Sequence, residues 1–439
     1  MNRTAHKILA PKEEVAVQVP AKKRDLLLFN AGEIVTMAGD ENPRRGAQMK
    51  DLGVVSDAAL YASGGRIVEV GDSATLRRKH AGASTAIDAK GGLVIPGFVD
   101  PHTHLVFAGS RENELELKLG GATYEEIAAS GGGIMSTVAR TRAATMEEMV
   151  REASLRLKGM LSEGTTTAEA KSGYGLNPEG EMKMLAVIEE LNERQPVQLV
   201  PTFLGAHALP PEFAGNPEGF VDMLINDLLP RVTQRTAARF CDVWVERGYF
   251  SAELGRILLN QAKLLGLTPK VHADELSPSG GAELAGEVQA ISADHLIHMT
   301  EGGLEAIKNG GCVAVLLPAA SMSSRIPYAD ARRIISAGVP VALGTDLNPG
   351  CWVESMQSII FLAVHMLRMH PAEALAAATI NAAHAIGVAS DVGSLEPGKS
   401  ADFLILDTSS HKQIGYRFGR NLVEVVVKAG KVVVDRRPR

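Results

Sequence analysis

Two histidines one residue apart are the first chemistry this chain offers: Asp100-Pro101-His102-Thr103-His104 comes directly after the apolar run LVIPGFV at 93–99. Side chains two apart on a strand face the same side, so both imidazoles can address one metal ion. Comparable clusters close other apolar runs: Gly205-Ala206-His207, Val271-His272-Ala273-Asp274-Glu275, Asp294-His295 and Gly344-Thr345-Asp346. An isolated His-X-His arises often by chance, and any one of these residues could be a hydrogen-bonded structural histidine. Five of the twelve histidines at the ends of strand-like runs form a pattern that coincidence explains poorly.

The elements that must position these groups alternate. Strand-like runs stand at 93–99, 165–170, 197–203, 241–245, 269–273, 291–295, 312–316 and 340–344. Amphipathic segments such as MEEMVREASLRLKGML, EGEMKMLAVIEELNE and SAELGRILLNQAKLLG separate most of them. Eight such alternations predict an α/β protein, a TIM-type (β/α)8 barrel, which carries its chemistry at the C-terminal ends of its strands. The expected divisions are an N-terminal extension at 1–24, a β-rich part at 25–92, the barrel at 93–387 and a second β-rich part at 388–439. The two β-rich ends suggest one small β domain built from both termini, with two independent β appendages as the alternative. The stretch 39–57 reads as an insertion or long loop, and AEALAAATINAAHAIG near 372–387 as a buried packing helix. The long connection from Leu105 to Ala144 contains Gly131-Gly132-Gly133. No Gly-Lys-Ser/Thr comes after it, so a mobile lid is expected there and not a phosphate loop.

A chain of 439 residues has room for a barrel of about 250 residues and a smaller domain. Its 45% hydrophobic and 22% charged residues are ordinary for a soluble globular protein. A net charge of -6 gives no basic face for nucleic acid, so an anionic ligand needs a local cation. Cys241, Cys312 and Cys351 are too few and too scattered for a disulfide framework. No apolar run approaches the roughly 20 residues that cross a bilayer, and a cytoplasmic location without membrane contact is expected.

On PHTHLVFAGSRENELELKLGG, AKSGYGL, FLGAHALP, VHADEL and TDLNPG, the sequence resembles the amidohydrolase superfamily and, within it, the imidazolonepropionase family, over nearly all residues after the first two dozen. The resemblance implies a (β/α)8 barrel with a small β-sandwich domain from both termini, in a homodimer. It implies hydrolysis of 4-imidazolone-5-propanoate to N-formimino-L-glutamate in histidine degradation. Carried over by position, His102, His104, His272 and Asp346 become ligands of one metal ion, zinc or iron. Such an ion polarises a ring carbonyl and lowers the pKa of water toward about 7. His295 and Asp346 are implied to orient and deprotonate the water, and Glu275 to contact the ring nitrogen; which of the three moves each proton stays open. Arg111 is implied to hold the propanoate tail by paired guanidinium donors, with Tyr174 and His207 beside it and Asn348 and Gly350 as further contacts. Beyond Arg111, the acidic run reads as a solvated helix face.

Two departures weaken single assignments. Cys351, carried over as a further substrate contact, stands where many members carry a hydroxyl, and because a thiol donates weakly only a weak hydrogen bond is expected there. Lys171 invites a carbamylated-lysine, two-metal site, but it ends the second strand, whereas that lysine belongs to the fourth, which here ends in Val245-Glu246. Two other readings are compatible with the sequence. A deaminase of a heterocyclic base would share the metal ligands but lacks a need for Arg111 and the KSGYGL loop. A non-catalytic scaffold on the same fold would typically have lost metal ligands.

Overall fold

The computed structural model describes residues 25–121, 126 and 131–438. The expected extension 1–24 lies outside the described residues, as do 122–125 and 127–130 of the expected lid.

From the N-terminal part come β1 (Asp25–Val35), β2 (Val54–Ser63), β3 (Arg66–Asp72), β4 (Thr85–Asp88) and β5 (Leu93–Pro96). The barrel begins with β6 (Phe98–Asp100), β7 (Thr165–Lys171), β8 (Gln198–Ala206) and β9 (Phe240–Val245). It continues with β10 (Thr268–Ala273), β11 (Ser292–His295), β12 (Val313–Leu316) and β13 (Val341–Leu343). The chain ends in β14 (Phe403–Leu406), β15 (Val423–Lys428) and β16 (Lys431–Asp435).

Strands β6 to β13 lie side by side in chain order, all parallel, as the eight-fold alternation predicts. Almost every residue on them is buried, because a parallel sheet is covered on both faces. The ring closes through the segments just past its first and last strands. Thr103 bridges Leu347, His104 N–H donates to Leu347 O at 2.9 Å, and Asp346 N–H donates to His102 O at 3.0 Å. The closure therefore presses the His-X-His turn against Asp346.

The outer helices begin where local chemistry dictates. Thr145 and Glu148 form a reciprocal capping box on Met146–Ser162, Asn177 caps Pro178–Arg194, and Ser251 caps Ala252–Leu264. Their buried faces pack on the strands.

The two β-rich ends form one sheet in the order β16-β15-β14-β5-β1-β2-β3, with β4 beside β1, so the alternative of separate appendages falls. The two-residue period does double duty there. Phe403 and Ile405 enter the small domain's core with Leu28, Ile34 and Val425, while Leu404 and Leu406 join the barrel's core.

Three local expectations change. The run 93–99 is not one strand: Leu93–Pro96 pairs with β1 and β14, and the barrel strand starts at Phe98. Gly97 makes the break, since a Cβ there would lie 2.2 Å from Thr166 Oγ1. The alanine-rich tract is two helices, Pro371–Ala377 and Ile380–Ala385. Thr379 Oγ1 donates to Leu375 O at 2.7 Å, and the amide of Asn381 is committed to Arg44 O and Val341 O, so the backbone turns between them. The stretch 39–57 is the expected long connection only as far as Gly53, since β2 begins at Val54, and it is anchored: Arg44 and Met49 are buried, and the short turn Gly46–Lys50 packs on the helix Pro371–Ala377.

Candidate metal centre and substrate pocket

His102 and His104 stand just past β6, His272 on β10 and Asp346 just past β13. One donor nitrogen from each histidine falls within 4.8 Å of the others. His104 Nε2 is 3.4 Å from His272 Nε2, and Asp346 Oδ1 is 3.6 Å from Nε2 of both His102 and His104. Burial, reinforced by neighbouring positive groups, holds His102 and His104 well below the usual imidazole range, so both are uncharged. His102 Nε2 is buried without a hydrogen-bond partner. Three imidazole nitrogens and a carboxylate converging on one buried point fit a divalent cation, and this donor set suits zinc or iron. Burial raises Asp346 to about 6 where only protein atoms surround it. Asp346 and His295 both have positive φ, +51° and +73°, a strained conformation that persists where a structure needs the side chain aimed.

Two of the donors are held from below. His102 Nδ1 is 2.6 Å from Asp294 Oδ2, and His272 Nδ1 is 3.0 Å from Asp242 Oδ2. Asp100 accepts from Thr345 N–H at 3.1 Å and Thr345 Oγ1 at 2.6 Å, tying the start of the His-X-His segment to the strand end that carries Asp346. Lys171, whose type invites a carbamate, lies within 2.9 Å of Glu169 Oε2 and 2.7 Å of Asp242 Oδ2. Burial alone would lower its pKa, but these carboxylates and Asp294 outweigh it and hold the ammonium above its ordinary value. His102, Glu169 and Asp294 also form a possible ligand triple. There the ammoniums of Lys171 and Lys270 already stand beside Glu169, at 2.9 and 3.1 Å, in place of a second cation.

Above the donors opens a pocket lined by Arg111, Tyr174, His207, Glu275, His295, Asn348, Gly350 and Cys351, together with Trp244 and Ile134. All the expected substrate contacts thus face one cavity. Glu275 Oε2 is 3.6 Å from His295 Nε2, and burial, then the charges of Asp346 and Glu246, pushes Glu275 up to about 8. Burial takes His207 down to about 3. Its Nδ1 is 3.0 Å from Gly173 O, which only accepts, so the proton sits on Nδ1 and Nε2 carries a lone pair. Tyr174 is a buried wall and not an exposed loop aromatic. Its loop is held by Glu181, whose carboxylate accepts from the N–H groups of Gly173, Gly175 and Leu176 at 2.8–3.2 Å.

Several expected details differ. Nε and Nη2 of Arg111, one of the two donor pairs of its guanidinium, are directed at Glu114, at 2.9 Å and 2.7 Å, while Nη1 stands on the side of Gly350 in the pocket wall. Glu114, on the helix Asn113–Leu119, is consequently buried and not on a solvated face; it also accepts from Gly133 N–H at 2.8 Å, joining the two ends of the long connection. Asn348 uses its side chain on its own turn, accepting from Gly350 N–H at 2.7 Å and Cys351 N–H at 3.0 Å and donating to Asp346 O at 2.9 Å. Valence leaves one of its amide hydrogens for a ligand. Cys351 is buried against the same turn, its Sγ 4.0 Å from Thr345 O. Asp274, between the expected functional residues, caps the helix Gly281–Glu287 by accepting from Ser279, Gly280, Gly281 and Ala282 N–H.

Sequence reasoning missed Asp242, Asp294, Glu169 and Lys270 as supports, Glu181 as the loop's anchor and Trp244 as a wall. A signal was present. Glu169-x-Lys171, Asp242-x-Trp244 and Lys270-x-His272 place polar groups two apart inside otherwise apolar runs, the period of one barrel face.

Fold and donor set together define a metal-dependent hydrolase of the amidohydrolase kind. Models of the amidohydrolase family match residues 85–147 and 269–433. An imidazolonepropionase of Symbiobacterium thermophilum is 52% identical over 94% of this chain and 97% of that protein. One from Geobacillus kaustophilus is 48% identical over 94% of this chain and 98% of its own length. Among solved structures, a zinc-bound adenosine deaminase from Xanthomonas campestris matches with a TM-score of 0.68 at 20% identity, covering 94% of this chain and 93% of that one, a likeness of fold. The chain belongs to the imidazolonepropionase family of amidohydrolases.

Proposed function

We propose that this enzyme hydrolyses the ring C–N bond of 4-imidazolone-5-propanoate, giving N-formimino-L-glutamate in histidine degradation. The observation that carries the reading is the identity of about one residue in two, over nearly the whole chain, to relatives named imidazolonepropionase. The deaminase resemblance is one of fold at 20% identity, and a scaffold without chemistry has no need of a complete donor set.

His102, His104, His272 and Asp346 would hold one ion, zinc or iron. When bound, that ion supplies Lewis acidity that polarises a carbonyl and makes water acidic enough to attack at neutral pH. Asp346 Oδ accepts the proton of the attacking water, and His295, 3.6 Å from Glu275, orients that water. Glu275, raised to about 8, carries a proton at neutral pH and delivers it to the departing ring nitrogen, which cannot leave as an anion. Trp244, Tyr174 and Ile134 exclude water around the planar ring. The propanoate lies against Arg111, whose charge attracts it while one of the two guanidinium donor pairs addresses Glu114, and the spare amide hydrogen of Asn348 adds a contact. The unit is a cytoplasmic homodimer in this reading. Among the described residues no helix is long and apolar enough to cross a membrane.

The test is purified enzyme with imidazolonepropanoate. Loss of its absorbance without ammonia release is expected; ammonia from guanine or cytosine, with no imidazolonepropanoate consumed, would overturn the assignment.

A further inference from the structure

We propose that Asp242 and Asp294, yoked by Lys171, are positioning residues that fix His272 and His102 from behind as metal ligands; this rests on the metal-site reading above. Both carboxylates are fully buried within the barrel, below the pocket and outside its lining. Asp294 Oδ2 is 2.6 Å from His102 Nδ1, and Asp242 Oδ2 is 3.0 Å from His272 Nδ1. A carboxylate accepts only, so it places the imidazole proton on Nδ1 and leaves the Nε2 lone pair for the metal. The strand register brings the groups to one level of the barrel: His272 stands opposite Asp294 on β11, and Lys270 stands opposite Asp242 on β9.

Two aspartates under two neighbouring ligands would repel each other without a cation. Lys171 Nζ supplies it, 2.7 Å from Asp242 Oδ2 and 3.7 Å from Asp294 Oδ2, with Glu169 Oε2 at 2.9 Å as its third partner. Lys270 Nζ complements it, 3.1 Å from Glu169 Oε1, 3.8 Å from Asp294 Oδ2 and 3.1 Å from Pro101 O, the carbonyl that immediately precedes His102. Three carboxylates against two ammoniums leave one net negative charge beneath the donors, which favours a cation above them. His104 differs: among the described residues its one carboxylate neighbour within 4.0 Å is Asp346, on the Nε2 side, and none stands at Nδ1. The device therefore acts on His102 and His272 and not on all three histidines.

An asparagine in place of either aspartate keeps the shape but can present an N–H to the ring, allowing the tautomer that blocks Nε2. The comparison is wild type, Asp294→Asn, Asp242→Asn and Thr202→Val. Thr202 Oγ1 donates to Glu169 Oε1 at 2.5 Å in the same buried cluster but touches neither aspartate–histidine pair, so it reports a purely structural disturbance. Each protein is loaded with Zn2+, and its transfer to a chromogenic chelator is recorded over time. The Co2+-loaded forms are compared by visible absorption, and melting is recorded for all.

Zinc affinity in the two asparagine variants is expected to fall about 10–100-fold with an altered cobalt spectrum. Thr202→Val should keep wild-type affinity and spectrum even if it melts earlier. Equal zinc retention and an unchanged spectrum in both asparagine variants would overturn the positioning role while leaving the metal site standing. So would equal losses in Thr202→Val. If an asparagine variant does not fold, the other decides by the same readouts. Wild type that binds no metal would overturn the metal-site reading itself, and this inference with it.

Discussion

Glu181 touches no reacting group, yet its removal should impair both folding and substrate binding. Its buried carboxylate accepts from the N–H groups of Gly173, Gly175 and Leu176, with distances of 2.8–3.2 Å. A buried donor left without its partner costs about 1–3 kcal/mol. Three such donors sum to roughly 3–9 kcal/mol, and since local relaxation and water entry recover part of this, Glu181→Ala should lose about 3–5 kcal/mol. Glu181→Gln is the finer probe. Its remaining oxygen can still serve Gly175 and Leu176, while its NH2 group faces the N–H of Gly173, so a loss of about 1–3 kcal/mol is expected. Chemical denaturation measures the stability, and initial rates at varied imidazolonepropanoate measure KM. The loop carries Tyr174, and Gly173 O orients His207, so KM should rise in the glutamine variant. Stability within about 0.5 kcal/mol of wild type, together with an unchanged KM, would refute the view that this carboxylate shapes the pocket wall.

Other perturbations test separate parts of the site. Asp346→Asn should retain the barrel's melting transition but lower kcat about 10²–10⁴-fold through the lost proton acceptor; near-normal turnover would remove Asp346 from that role. Arg111→Ala deletes a charge-assisted contact of about 1.5–3 kcal/mol, so KM should rise about 10–100-fold with kcat little changed, and an unaltered KM would assign the residue to lid structure alone. Dialysis against a chelator should abolish activity and lower the melting temperature, both returning on addition of zinc or iron; full activity in metal-free protein would contradict the site. Gly286→Ala tests packing between the helices Gly281–Glu287 and Glu301–Gly310, because a Cβ there would lie 2.3 Å from the backbone of Ala306. A loss of about 2–4 kcal/mol is expected in thermal or chemical unfolding, and a neutral effect would show that the helices separate easily.

The barrel was legible because its signal is local and periodic. The strand's two-residue period and the rule that barrel chemistry sits at strand ends marked the clusters at His102, His207, His272, His295 and Asp346, while the choice of ligands among them came from the family resemblance. The orientation of Arg111 was not legible, because the partner that claims one of its donor pairs, Glu114, lies on a helix that composition alone reads as solvated. Nor was the break at Gly97, since an apolar run of seven residues carries no mark of which of two sheets each half will join. The charge cluster under the donors left a trace in the spacing of Glu169, Lys171, Asp242 and Lys270. Its meaning depended on register between strands far apart in the chain, which no single run encodes.

The placement of β5 has a consequence for how the enzyme comes into being. That strand is flanked on one side by β1 and on the other by β14, more than 300 residues later. Until β14 has left the ribosome, one edge of β5 waits with unmet backbone groups at the very base of the barrel's first strand. Such distant closure makes assembly slow and exposes a sticky intermediate. A premature stop before Phe403 should therefore do more than trim an appendage: it leaves the nascent chain open at its seam, a target for chaperones or for aggregation.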